Sequence, residues 1–133
     1  MGAWPELVMV GKILLSALLS GIIGYEREKR YKPAGLRTHM LVGIGSTLFT
    51  LLSLTFTNDP ARIASYIVMG IGFIGGGTVL QMKEKVIGLT TAASLWVTAA
   101  IGMGVALDYF LLSTISTGVT YLILKLSAIE KKQ

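Results

Sequence analysis

Few side chains in this sequence have the type and spacing to do chemistry, and their positions limit what that chemistry is. The run Gly70-Ile71-Gly72-Phe73-Ile74-Gly75-Gly76-Gly77 contains the G-x-G-x-x-G spacing that cradles a dinucleotide pyrophosphate after a β-strand. Here it sits inside an apolar run of helix length, with no preceding strand and no acidic residue about twenty positions on. The glycines are better explained by close helix packing in lipid, or by local unwinding where protein or a water cavity satisfies the backbone. Gly70, Gly72, Gly75, Gly76 and Gly77 are therefore helix-packing candidates, and a bulky residue at Gly75 or Gly76 is expected to damage folding. Lys12 lies well inside an apolar run, which raises a transport or proton-relay role, yet it is near enough to the run's end to snorkel.

His39 is the lone histidine and there is no cysteine, so it has neither a second imidazole nor a thiolate beside it in the sequence. It reads as a hydrogen-bonding residue at the edge of an apolar run, with metal ligation the alternative. Magnesium requires oxygen ligands in near-octahedral order. Glu6, Asp59 and Asp108 fall near one end of the apolar runs and Glu26, Glu28 and Glu84 near the other, leaving no acidic cluster between. A dedicated Mg²⁺ carrier is not indicated, and any metal-binding residues are unknown from sequence. No Ser–His–Asp set, carboxylate pair or metal-hydrolase arrangement can be assembled, so the expectation is a non-enzyme without a cofactor.

The elements that position these residues are membrane spans. The chain is 53% hydrophobic with a mean hydropathy of +0.69, and its 14% charged residues are bunched between apolar runs. Crossing a hydrocarbon core of about 30 Å takes about 20 apolar residues in a helix. Five stretches approach that length, at Leu7–Gly24, Met40–Thr57, Arg62–Met82, Leu89–Leu107 and Tyr109–Leu126. The expected fold is an all-α, polytopic transmembrane bundle of about five spans forming one domain over residues 1–133. Pro33 and Gly35 break any continuation of the first helix, Asp59 and Pro60 open the third as cap and first helical residue, and Asp108 can cap the fifth. On the first span Ser16, Ser20 and Gly24, with Ala17 and Gly21 beside them, form two small-residue ridges suited to helix packing.

Twelve Lys and Arg against seven Asp and Glu do not indicate nucleic acid, because no basic and aromatic residues interleave on a soluble face. They indicate orientation. Arg27, Lys29, Arg30, Lys32, Arg37, Lys83, Lys85, Lys125, Lys131 and Lys132 fall on one side, and only Lys12 and Arg62 on the other. The N-terminus is therefore expected outside and the C-terminus in the cytoplasm. The first apolar stretch lacks a basic region before Leu7 and a small-residue cleavage site, and so reads as a retained span. Trp4 fits an interfacial anchor, whereas Trp96 lies too deep for one.

Gly24-Tyr25-Glu26-Arg27-Glu28, Pro33-Ala34-Gly35-Leu36-Arg37-Thr38-His39, Asp59-Pro60-Ala61-Arg62-Ile63-Ala64, the glycine run at Gly70–Gly77 and the stretch Gly88–Gly102 together resemble the MgtC/SapB family, from Gly24 to about Gly104. That resemblance implies a multi-pass bacterial inner-membrane protein linked to growth in low magnesium and, in some pathogens, to survival in macrophages. It further implies a regulator acting on membrane partners such as the proton-translocating ATP synthase. Many family members carry a cytoplasmic ACT-like domain after the last span; the sequence here stops at Gln133, and the membrane domain alone is expected. Glu26, Arg27, Arg37, His39, Asp59 and Arg62 are the functional candidates, with Glu26 and Arg37 expected to pair across the first loop. Lipid, a membrane protein and a second copy of the chain are the expected partners, and a transporter or channel is the alternative function.

Overall fold

Continuous apolarity and scarce helix breakers predict long helices, and the computed structural model of the chain consists mostly of them. It describes residues 4–56, 58–82 and 85–130. Thr57, Lys83, Glu84, Lys131, Lys132 and Gln133, all assigned above, lie outside the described residues. Among the described residues there are five helices and one short hairpin: α1 (Trp4–Lys29), α2 (Leu36–Phe56), α3 (Pro60–Gly76), β1 (Leu80–Met82), β2 (Lys85–Ile87), α4 (Leu89–Ala106) and α5 (Phe110–Glu130). The strands pair antiparallel, Gln81 opposite Val86. By length and composition α1, α2 and α4 can cross a membrane, and α3 and α5 contribute the shorter apolar stretches Ala61–Gly76 and Phe110–Leu126. The chain is an all-α membrane bundle.

Three boundaries differ from expectation, each for a local reason. First, α1 ends before Pro33. Tyr31 adopts φ 56°, its N–H donates to Glu28 O, and Lys32 N–H donates back to Arg27 O, which is the paired bonding of a left-handed helix stop. Second, the third span ends at Gly76 instead of Met82. The three glycines there propagate a helix poorly, the following N–H groups tighten into i to i+3 bonds, and Thr78 Oγ1 donates to Gly75 O at 2.7 Å. The chain then leaves as β1. Third, Asp59 occupies the position before α3 with Pro60 next, but its side chain makes no cap hydrogen bond, since its backbone (φ −130°, ψ 76°) is outside the usual cap geometry. At the other end of the hairpin Gly88 is obligatory: it sits at φ +91°, and a Cβ there would collide with the Thr78 carbonyl.

Helices α1, α2 and α4 pack on one another, α5 lies against α1 and α4, and α3 leans on α4 and α2. Their surfaces are inverted relative to a soluble domain. Leu14, Leu18, Leu41, Phe49, Phe73 and Leu111 face outward, while Ser16, Ser20, Ser46, Thr47, Thr50, Thr91, Ser94 and Thr98 are buried. Lipid cannot accept hydrogen bonds from these hydroxyls, so they turn inward, and all but Ser16 bond to protein groups. Leu19, Ile23, Ile101, Val105 and Leu124 complete the interior.

Candidate functional site

Small polar residues recur on the facing stripes of α1, α2 and α4, so the three helices meet along a seam of hydroxyls. On α4 these are Thr91, Ser94 and Thr98; on α2, Ser46, Thr47 and Thr50; on α1, Ser16 and Ser20. His39 Nε2 meets Ser94 Oγ at 2.9 Å, Ser46 Oγ donates to Ala99 O and Thr47 Oγ1 donates to Gly102 O at 2.8 Å. The near-constant sequence offset of these pairs, 55, 53 and 55 residues, means α2 and α4 run parallel. Glycine permits the approach: a Cβ on Gly102 would lie 2.6 Å from Gly43 O, and one on Gly24 would lie 2.8 Å from the Leu36 Cα. The Ser16, Ser20, Gly24 ridge packs against α2 around Gly43 and His39. Ser20 Oγ donates to Ser16 O, whereas Ser16 Oγ is buried without a partner.

Each end of the seam carries charge. At one end Lys12 forms an ion pair with Asp108 at 2.7 Å and donates to Ala106 O at 3.2 Å, placing an ammonium over the last carbonyls of α4. At the other, Glu26 and Arg27 are each 2% exposed, an unusual burial for two charged neighbours. Glu26 pairs with Arg30 at 2.7 Å, one turn on along the same helix. Arg27 donates from Nη2 to Thr91 Oγ1 at 2.9 Å and leaves its buried Nε without a partner. His39 is fully buried; its Nδ1 lies 2.9 Å from Gly35 O, which can only accept, so Nδ1 carries a proton. Ser94 Oγ lies 2.7 Å from Thr91 O as well as 2.9 Å from His39 Nε2, and its single hydrogen serves only one of them. Two proton arrangements follow: a neutral ring accepting from Ser94, or a doubly protonated ring donating to Ser94 while Ser94 donates to Thr91 O.

Of the candidates read from sequence, Arg27 and His39 thus bond to α4, while Glu26 is buried beside Arg27 but pairs within α1. Arg37 is exposed, and Glu26 is taken by Arg30, so the expected Glu26–Arg37 pair is not formed: a partner four residues on along the same helix lies nearer than one across a loop. Asp59 and Arg62 are exposed at the opposite end of the bundle. Among the candidate packing glycines, Gly75 faces α4, with 3.4 Å from its Cβ position to Ala92, but the Cβ positions of Gly70, Gly72 and Gly76 have nothing within 4 Å among the described residues. The Gly77 Cβ position meets only the Ile74 and Phe73 carbonyls of its own helix end. Thr91, Ser94 and Thr98 were not singled out from sequence, although their spacing of three and four residues places them on one helical stripe. Among the described residues, no three His, Cys, Asp or Glu side chains converge to hold a metal ion.

A family model described as the MgtC family matches residues 13–132. The chain belongs to the MgtC family. It is 44% identical over 124 residues to YhiD of Escherichia coli (strain K12), a protein named as a candidate magnesium transporter, covering 86% of this chain and 58% of YhiD. Protein MgtC of Brucella abortus (strain 2308) is 44% identical over 103 residues, covering 75% of this chain and 43% of that protein. Protein MgtC of Salmonella typhimurium (strain LT2) is 46% identical over 99 residues, covering 74% and 43% respectively. The chain therefore spans about half the length of these MgtC-family relatives. No solved structure matches it.

Proposed function

We propose that this MgtC-family chain is a non-enzymatic regulator of the bacterial inner membrane, linked to low-magnesium adaptation, with its N-terminus outside and its C-terminus in the cytoplasm. It acts by docking partner membrane proteins against its helices, the ATP synthase being the partner the family resemblance implies, and it self-associates. The observation that carries this reading is an apolar groove of about 480 Å³ between α2 and α3, lined by Leu41, Val42, Phe49, Ile67, Ile71 and Ile74. Gly45 and Gly70 also line it, and neither has an atom within 4 Å of its Cβ position. Glycine on an open helix face lets a second helix approach closely, which in lipid is a principal source of association energy. Gly72 and Gly76, four residues apart on α3 and equally open, extend the same kind of surface.

The alternative, a transporter or channel, would have to use the hydroxyl seam. That seam is drawn tight: its side chains bond to backbone carbonyls of the same or the neighbouring helix instead of lining a wet path. The test is to fill the groove. The Cβ positions of Gly45 and Gly70 have no described atom within 4 Å and open into the groove, so Gly45→Leu and Gly70→Leu should fold and keep near wild-type thermal stability in detergent while losing growth support in low magnesium and losing co-purifying membrane partners. Full activity of both at matched expression would remove the groove from the mechanism.

A further inference from the structure

Helices α2 and α5 both pack on α1, and a groove of about 490 Å³ runs along α1 between them. Ala17 and Gly21 of α1 have too little side chain to fill its floor, Leu36 and Met40 form the α2 wall, and Tyr121 stands on the α5 side. Apart from Tyr25 and Tyr121 the described lining is wholly apolar, with no acidic residue in it. From Ala17 to Tyr25 the helix rises about 12 Å, against about 15 Å for the hydrocarbon of one leaflet. The groove thus follows most of the depth that one acyl chain occupies.

The second feature is charge. The Lys12–Asp108 pair sets the start of α1 beside the turn before α5, so both helices run toward the basic end of the bundle. Each carries a lysine one turn beyond its groove tyrosine. Lys29 Nζ lies 5.5 Å from the Tyr25 ring centre, and Lys125 Nζ lies 4.9 Å from that of Tyr121. A ring face orients an ammonium without using its three N–H donors. Both lysines are exposed, and neither pairs with a carboxylate among the described residues. Of the carboxylates nearest to Lys29 in sequence, Glu26 is held by Arg30, and Glu28 accepts the Leu36 N–H at 3.4 Å.

We propose that this groove binds an anionic phospholipid, one acyl chain lying along Ala17 and Gly21 and the headgroup phosphate held by Lys29 and Lys125. The tyrosines then mark the level where chain meets headgroup, which amphipathic rings favour. Charge selects the headgroup, since a zwitterionic lipid offers the same chain but brings its own cation toward the two lysines. A partner helix would fill the apolar part and leave both ammonium groups without a counter-charge. The inference goes beyond the regulator reading and holds equally for a transporter.

Thermal unfolding of the purified, delipidated protein in an uncharged detergent tests it. Phosphatidylglycerol should raise the melting temperature saturably, whereas phosphatidylcholine, or glycerol phosphate without acyl chains, should not. Lys29→Gln and Lys125→Gln should each weaken the apparent affinity for phosphatidylglycerol about fivefold. Arg62→Gln, which removes a positive charge at the opposite end, should leave that affinity unchanged. Equal shifts with the two phospholipids, or wild-type affinity in both lysine variants, would overturn the site. So would the absence of any shift, which would leave the groove to a protein helix.

Discussion

Lys12 shows how one side chain changes meaning once its neighbours are known. An ammonium in an apolar stretch suggests a relay, yet here it bridges Asp108 and the Ala106 carbonyl, joining the start of α1 to the turn between α4 and α5. Asp108 holds that turn at φ 70° and is largely solvent-exposed, so the pair is a partly screened clamp. Lys12→Met keeps the apolar stem and removes the charge. It should lower stability by about 0.3–1 kcal/mol and leave growth in low magnesium unchanged. A wild-type unfolding midpoint combined with lost growth support would make Lys12 functional instead. Burial of Arg27 and His39 was legible only in part: both residue types stood out in the sequence, but their partners Thr91 and Ser94 lie 64 and 55 residues away, a distance no local pattern spans.

The helices themselves were readable from apolarity and length, because lipid demands both. What the pattern could not reveal was which face of a helix meets protein and which meets lipid, since both are apolar or small. The glycines make the point. Those clustered on α3 attract attention, yet the tight contacts belong to isolated glycines on α1, α2 and α4. Gly102→Ala would press a methyl against the Gly43 carbonyl, backbone that cannot rotate away, and should cost about 1–3 kcal/mol. Gly76→Ala meets nothing and replaces glycine in a helix, so its stability should stay within about 1 kcal/mol of wild type, on the stabilising side. Unfolding of the two variants in the same detergent checks the contrast; equal losses would mean that packing along the hydroxyl seam does not set stability. The hairpin at Leu80–Ile87 was hidden for a related reason. Its first strand, Leu80–Met82, continues the run of α3 as far as Lys83, and before that point only the glycine triplet marks where the helix gives way.

At the scale of the whole molecule, the basic residues Arg27, Lys29, Arg30 and Lys32 gather at the end of α1, the end at which α2 and α4 begin. In the orientation proposed above, which the positive-inside bias supports, that end faces the cytoplasm. Reporters fused within Glu28–Lys32 and after Gln133 should therefore behave as cytoplasmic, and one at Asn58 as external; an external signal from the first loop would invert the assignment. Viewed as a machine, the bundle has a bonded polar interior and a glycine-lined groove on its flank, and the proposed docking function belongs to the flank. The most direct test is ion flux through purified protein in sealed vesicles, with magnesium and proton uptake followed under an imposed gradient. A docking regulator should give rates no higher than those of protein-free vesicles. Saturable uptake by the pure protein, reduced by Thr47→Val or Ser94→Ala in the seam, would contradict it and make the interior a path.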